Sequence, residues 1–134
     1  MAAGIAVWVA AVLLVSACQA QPLPAKSASA SLAGEAALLA RIDAEVGGAP
    51  CSSSTQCRTL PIGAKACGGP ARWMAWSTTT GRADQLQAWS AQLADLQRRR
   101  FEATGMMSTC SIVPDPGAVC RTGRCVLSTR DLGR

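Results

Sequence analysis

Histidine and tyrosine are absent from this chain of 134 residues, and phenylalanine occurs once. Without histidine, a serine or cysteine nucleophile lacks its usual general base, and a metal site lacks its commonest ligand. Lysine is scarce as well, since only Lys26 and Lys65 stand beside the arginines. The net charge of +5 favours anionic surfaces such as lipid headgroups and envelope polysaccharides. No basic stripe is interleaved with aromatics, so nucleic acid is not an expected partner. The cysteines contain no C-x-x-C pair; their spacings are C-x5-C and C-x9-C in the first group, C-x9-C and C-x4-C in the second. That pattern speaks against a zinc ribbon and against a thioredoxin-type redox motif, and no metal or cofactor is expected. Long apolar runs are missing too. The longest stretch, Ile5 to Val15, spans about half of a bilayer's hydrocarbon core at ~1.5 Å per residue.

What is present is cysteine, seven residues in all: Cys18, Cys51, Cys57, Cys67, Cys110, Cys120 and Cys125. The odd one is Cys18, which closes the apolar run and precedes every charged residue of the chain. A short apolar segment followed by small residues has the form of a signal-peptide h-region and cleavage site. Val15-Ser16-Ala17-Cys18 resembles the lipobox of bacterial lipoproteins. The resemblance implies that Cys18 carries a diacylglycerol, that residues 1–17 are removed as a signal peptide, and that Cys18 becomes the first mature residue. One buried acyl chain holds a protein marginally and two or more hold it stably. Gln19 stands where an aspartate retains enterobacterial lipoproteins at the inner membrane, so the resemblance implies the outer membrane, facing the periplasm.

Residues 18–31 are rich in Ala, Ser and Pro, lack periodicity, and are expected to be a flexible tether. Residues 32–134 are expected to form a small α+β domain, with two amphipathic helices and short antiparallel strands. From Leu32 to Arg134 there are 23 large apolar side chains, a thin supply for a core of 103 residues. Small domains with sparse cores are commonly stapled by disulfides. With Cys18 set aside, Cys51, Cys57, Cys67, Cys110, Cys120 and Cys125 are expected to form three bridges. Six cysteines allow 15 connectivities and the sequence does not choose among them. The pairing adopted is Cys57 with Cys125, Cys67 with Cys110 and Cys51 with Cys120, against the local rival Cys120–Cys125.

Leu32, Ala36, Leu39, Ile42 and Val46 recur at helical spacing, with Ser31 as a cap and Gly47-Gly48 as a stop. Arg58 to Ile62 read as a short strand, demoted to an edge by Pro61. A turn-rich segment around Cys67 leads into the strand "RWMAWST", whose period of two puts Met74 and Trp76 on one face and Trp73 on the other. Residues 82–104 form a second helix with a stripe of Leu86, Trp89, Leu93 and Leu96. The pairs Asp95 with Arg99 and Arg98 with Glu102 fall on its polar side, and Arg98 to Arg100 read as a solvated face. The tail reads as a strand, a Pro-Asp-Pro-Gly turn and a tight hairpin bending at Thr122-Gly123.

"CR" at 57–58, "CGGP" at 67–70, the aromatic run at 73–77, "STC" at 108–110 and "GRC" at 123–125 form a set. Over residues 51–126 the chain resembles small, exported, Cys-containing bacterial domains that are uncharacterised. The resemblance supports the domain boundary and implies no activity.

Two functional classes follow. One is a binding module displayed from a membrane, an accessory protein or hydrolase inhibitor whose partner is an envelope protein or polysaccharide. Its contacts would be Lys65, Arg72, Trp73 and Trp76, on the loop and strand from Pro61 to Trp76. The bland reading of that loop is that it turns the chain and Cys67 braces it. The other class is an envelope enzyme with a carboxylate-based site, for which no catalytic residue stands out. Glu35, Asp43, Glu45, Asp84, Asp95, Glu102 and Asp131 fall mostly on exposed helix faces or the tail.

Overall fold

A computed structural model describes residues 25–128, with side chains from residue 28 onward. The signal-peptide and lipidation expectations at residues 1–17 and Cys18 lie outside the described residues. In chain order the elements are helix α1 (Ala25–Val46), a single 3₁₀ turn (Ser54–Gln56), strands β1 (Cys57–Ile62) and β2 (Arg72–Ser77), helix α2 (Ala83–Thr104), and strands β3 (Ala118–Arg121) and β4 (Arg124–Leu127). The strands form two antiparallel hairpins, β1–β2 and β3–β4. The α+β class and the succession of helix, hairpin, helix, hairpin agree with the sequence.

Register places the two hairpins and the helices in layers. Opposed residues in an antiparallel ladder share a face, so Leu60 and Met74, with Arg58 and Trp76, lie on one side of β1–β2. Leu60, Ile62 and Trp76 are buried on that side in a cluster with Leu38 and Ile42 of α1 and Leu86 and Leu93 of α2. Each such side chain contributes about 1.5–3 kcal/mol on burial. Cys57, Thr59, Pro61, Trp73 and Ala75 lie on the other side, toward β3–β4, which is where the disulfides cross. Cys57 bonds Cys125, Cys51 bonds Cys120, and Cys67 bonds Cys110. This is the pairing adopted from the sequence. Cys120 and Cys125 are register partners across β3–β4, yet each bridges outward to the segment around β1.

Six local expectations need correction. Helix α1 begins at Ala25 instead of near Leu32, so its first turns run into the segment expected to be a tether. The Ala-rich sequence there has helix propensity that its lack of apolar periodicity conceals. Ser31 is inside the helix and donates to Glu35 instead of capping. The buried face of α1 is also rotated: Glu35, Leu38, Ile42 and Val46 point inward while Leu32 is 53% exposed. Glu35 is therefore not on an exposed face. Arg100 is not part of a solvated face, because its Nε and Nη2 donate to Glu35 Oε1 and Oε2 at 2.7 and 3.1 Å. Gln97 Nε2 adds a third bond to Glu35 Oε2 at 3.2 Å. Arg98 turns to Asp95 at 3.6 Å rather than to Glu102, whereas the Asp95–Arg99 pair forms. Finally, residues 106–117 form no strand before the Pro-Asp-Pro-Gly turn.

Helix ends explain how the layers lock. Arg82 precedes α2 without a side-chain cap of its own. Glu45, near the end of α1, accepts from the Arg82 backbone N–H at 2.9 Å and from its guanidinium at 3.0 Å twice. A carboxylate at a helix N-terminus is favoured by the helix dipole. The Arg82 side-chain and backbone hydrogen bonds hold the Glu45 carboxyl down at about 2. Gly81 sits where a Cβ would lie 2.8 Å from Trp76 Cε3 and 3.1 Å from Ser77 O, so only glycine lets the chain turn from β2 into α2. At the other end, Gly105 closes α2 in the left-handed region, φ 62°.

Candidate functional site

Two of the four proposed contact residues end in different surroundings from those the sequence suggested. Trp76 is 4% exposed and belongs to the core. Its candidacy as a surface contact is withdrawn: it shares a face with Leu60, and that face is covered by the helices. Lys65 is a clasp rather than a free anchor. Its Nζ donates to the Ser111 carbonyl at 2.5 Å and to Ser111 Oγ at 2.9 Å. The loop that carries it is closed by its own backbone, Lys65 N to Gly69 O and Gly68 N to Lys65 O, and is tied to Cys110 by the exposed Cys67. The loop therefore turns and braces the chain. Against α2 it leaves two open clefts, of about 320 and 340 Å³.

Arg72 and Trp73 stay together, and they meet residues that sequence reasoning missed. The half-buried Trp73 lines an open groove of about 610 Å³. Val113, Pro114 and Pro116 line it from the segment before β3, and Leu127 lines it from β4. Arg72 and Asp115 stand at the rim. The indole Nε1 donates to the Val113 carbonyl at 3.0 Å, which fixes the ring against the segment from Met106 to Gly117. Asp115 Oδ2 accepts from Thr59 Oγ1 at 2.7 Å, and its Oδ1 accepts from Gly117 N at 2.8 Å. The Pro-Asp-Pro segment is thus pinned to β1 on one side and to its own turn on the other. Side-chain bonds, the disulfide and the Lys65 clasp hold this segment in place of a strand ladder. The only sequence signal for this lining was the Pro-Asp-Pro-Gly string, which reads as a turn and does not say what it faces.

The groove adjoins a sheet edge. The Thr78 N–H donates to the Gln56 carbonyl at 2.9 Å, which sets the phase of the β1–β2 ladder. Arg72, Met74 and Trp76 then exchange ladder bonds with Ile62, Leu60 and Arg58. Trp73 and Ala75 turn their N–H and C=O to the far side of β2. Pro61 holds the corresponding outward position on β1, where its missing N–H costs no ladder bond; its carbonyl accepts from Ser90 Oγ of α2. The sheet has two strands, so the outward edge at Trp73 and Ala75 has no ladder partner among the described residues.

Two of the described carboxylates, Glu35 and Glu45, are held low. On Glu35, burial pushes the carboxyl up, but bonds from Arg100 and Gln97 outweigh it and the net shift is downward. Glu45 is held low by Arg82. A general acid near neutral pH needs the opposite shift. No protein-family model matches the chain, and no curated protein or solved structure is significantly similar to it. Among the described residues, no helix is long and apolar enough to cross a membrane.

Proposed function

We propose that this chain is a lipid-anchored lipoprotein of the bacterial cell envelope whose domain is a binding module, with an extended polypeptide segment of an envelope partner as its ligand. The lipobox-like stretch Val15-Ser16-Ala17-Cys18 supports the anchor, and Gln19 supports the outer membrane facing the periplasm. The observation that carries the binding reading is the Trp73 groove beside the unpartnered edge of β2. Backbone donors and acceptors on alternate residues are complementary to another strand, and an adjoining apolar groove takes a side chain from it; strand addition with side-chain pockets is a recurrent mode of peptide recognition. A polysaccharide would use the Trp73 face and leave the ladder groups at Trp73 and Ala75 unused. Arg72 and Trp73 are residue types enriched at interface hot spots, and a ring already fixed by Val113 loses little entropy on binding.

The test is a photo-reactive amino acid at Arg72 of the full chain, activated in intact cells. A discrete polypeptide adduct, lost on Trp73→Ala, is the expected result. A glycan adduct, or a polypeptide adduct that Trp73→Ala leaves unchanged, contradicts the proposed ligand.

A further inference from the structure

Two disulfides meet behind β1. Cys51 Sγ lies within 4.8 Å of both sulfurs of the Cys57–Cys125 bond, and Cys120 stands outside that triangle. The two bonds differ in access: Cys57 and Cys125 are each 4% exposed, whereas Cys51 and Cys120 are half-buried. A thiol reagent therefore meets the outer bond first, and breaking it leaves a sulfur already beside the inner one. Disulfide exchange proceeds by attack of a thiolate on a disulfide sulfur, and its rate depends on access and on proximity. Holding two reactants in contact raises the effective concentration far above that of an external thiol.

We propose that Cys51 is an internal thiol–disulfide exchange centre, through which a dithiol reductant acting at the accessible Cys51–Cys120 bond reaches the buried Cys57–Cys125 bond. In the first step one dithiol molecule is oxidised to its disulfide, and Cys51 and Cys120 each gain a thiol hydrogen. Cys51 then loses its proton to water. In the second step the Cys51 thiolate attacks Cys57 or Cys125, forming a bond to that sulfur, breaking Cys57–Cys125 and releasing the other cysteine as a thiolate that takes up a proton. The second step is redox-neutral. Cys120 and the released cysteine remain as two thiols, and when Cys125 is released the two are register partners on β3–β4. A second dithiol molecule can then reduce the crossed bond. Cys67–Cys110, tied to the loop around Lys65 and lying outside this cluster, takes no part.

The experiment uses the full wild-type chain and limiting dithiothreitol, with acid quenching, alkylation of free thiols and mass mapping of the bridges. The expected result is a crossed Cys51–Cys57 or Cys51–Cys125 peptide, with alkylation at Cys120 and at the cysteine released. Alkylation confined to Cys51 and Cys120, with Cys57–Cys125 intact until more reductant is added, overturns the proposal. Two variants that lose the same staple sharpen it. In Cys120→Ser the free thiol spreads over Cys51, Cys57 and Cys125; in Cys51→Ser it stays on Cys120. Equal spreading in both, or none in Cys120→Ser, counts against Cys51 as the centre. The wild-type measurement holds even where the variants fold poorly.

Discussion

Removing Glu35 is the sharpest perturbation of the packing between the two helices. Its carboxylate receives two bonds from Arg100 and one from Gln97, and the two charged side chains are 7% and 19% exposed. Deleting one member of a buried ion pair costs roughly 3–5 kcal/mol because the other charge is left uncompensated. Arg100 keeps some contact with water and stacks over the Phe101 ring at 4.9 Å, so Glu35→Ala falls below that range, at about 2–3 kcal/mol. Arg100→Ala leaves the deeper carboxylate unpaired and costs about 3 kcal/mol. Replacing both by leucine substitutes apolar packing for the pair and is close to neutral. Urea unfolding at neutral pH, with Cys18→Ser as the common background, measures all three. Single variants within about 0.5 kcal/mol of the parent, or a double-leucine variant as unstable as the two alanine variants combined, would show that the pair is not the buried tie between α1 and α2.

Other outcomes follow from the same geometry. Glu45 has its pKa depressed from 4.5 to about 2, so its contribution is fully present above pH 4.5 and is lost as pH falls toward about 2; Glu45→Gln should flatten the acid limb of a melting-temperature profile over that window. Trp76→Ala opens the core and should cost about 3–5 kcal/mol, whereas Trp73→Ala at the groove should cost much less; equal losses in chemical denaturation would contradict the layer assignment. Gly81→Ala drives a methyl into Trp76 and the Ser77 carbonyl and should lower stability by about 1–3 kcal/mol, with an unchanged midpoint as the contrary result. Opening the Cys57–Cys125 bridge leaves Cys51–Cys120 closed beside it, so the loop released is only about a dozen residues and the cost by loop-closure entropy should be about 3 kcal/mol, read as the midpoint difference of Cys57→Ala/Cys125→Ala from the parent.

Much of the fold is legible in the sequence, and the exceptions have physical causes. The helical stripe of Leu86, Leu93 and Leu96 and the period-two run through Met74 and Trp76 locate α2 and β2, because burial on one face selects those periods. The face of α1 was misjudged because a buried glutamate breaks the rule that charges face water. Its partner Arg100 stands 65 residues away, and only packing brings the two together. The strand expected before the Pro-Asp-Pro-Gly turn fails for a similar reason: Trp73, Lys65 and Cys67 take hold of that segment from 40 or more residues away. The groove was half visible. Arg72 and Trp73 were singled out, but the proline lining beside them depends on a tertiary contact, and Trp76 could be assigned to the core only once the covered face of the sheet was known.

The binding account rests most directly on the outward edge of β2, and Ala75→Pro addresses it alone. Proline at that position removes one outward N–H and spares the ladder to β1, as Pro61 already does on the facing strand. With the photo-reactive residue at Arg72 in intact cells, the account predicts that Ala75→Pro abolishes the polypeptide adduct while the melting temperature stays near that of the parent. An adduct of undiminished yield from a folded Ala75→Pro chain would contradict strand addition at this edge.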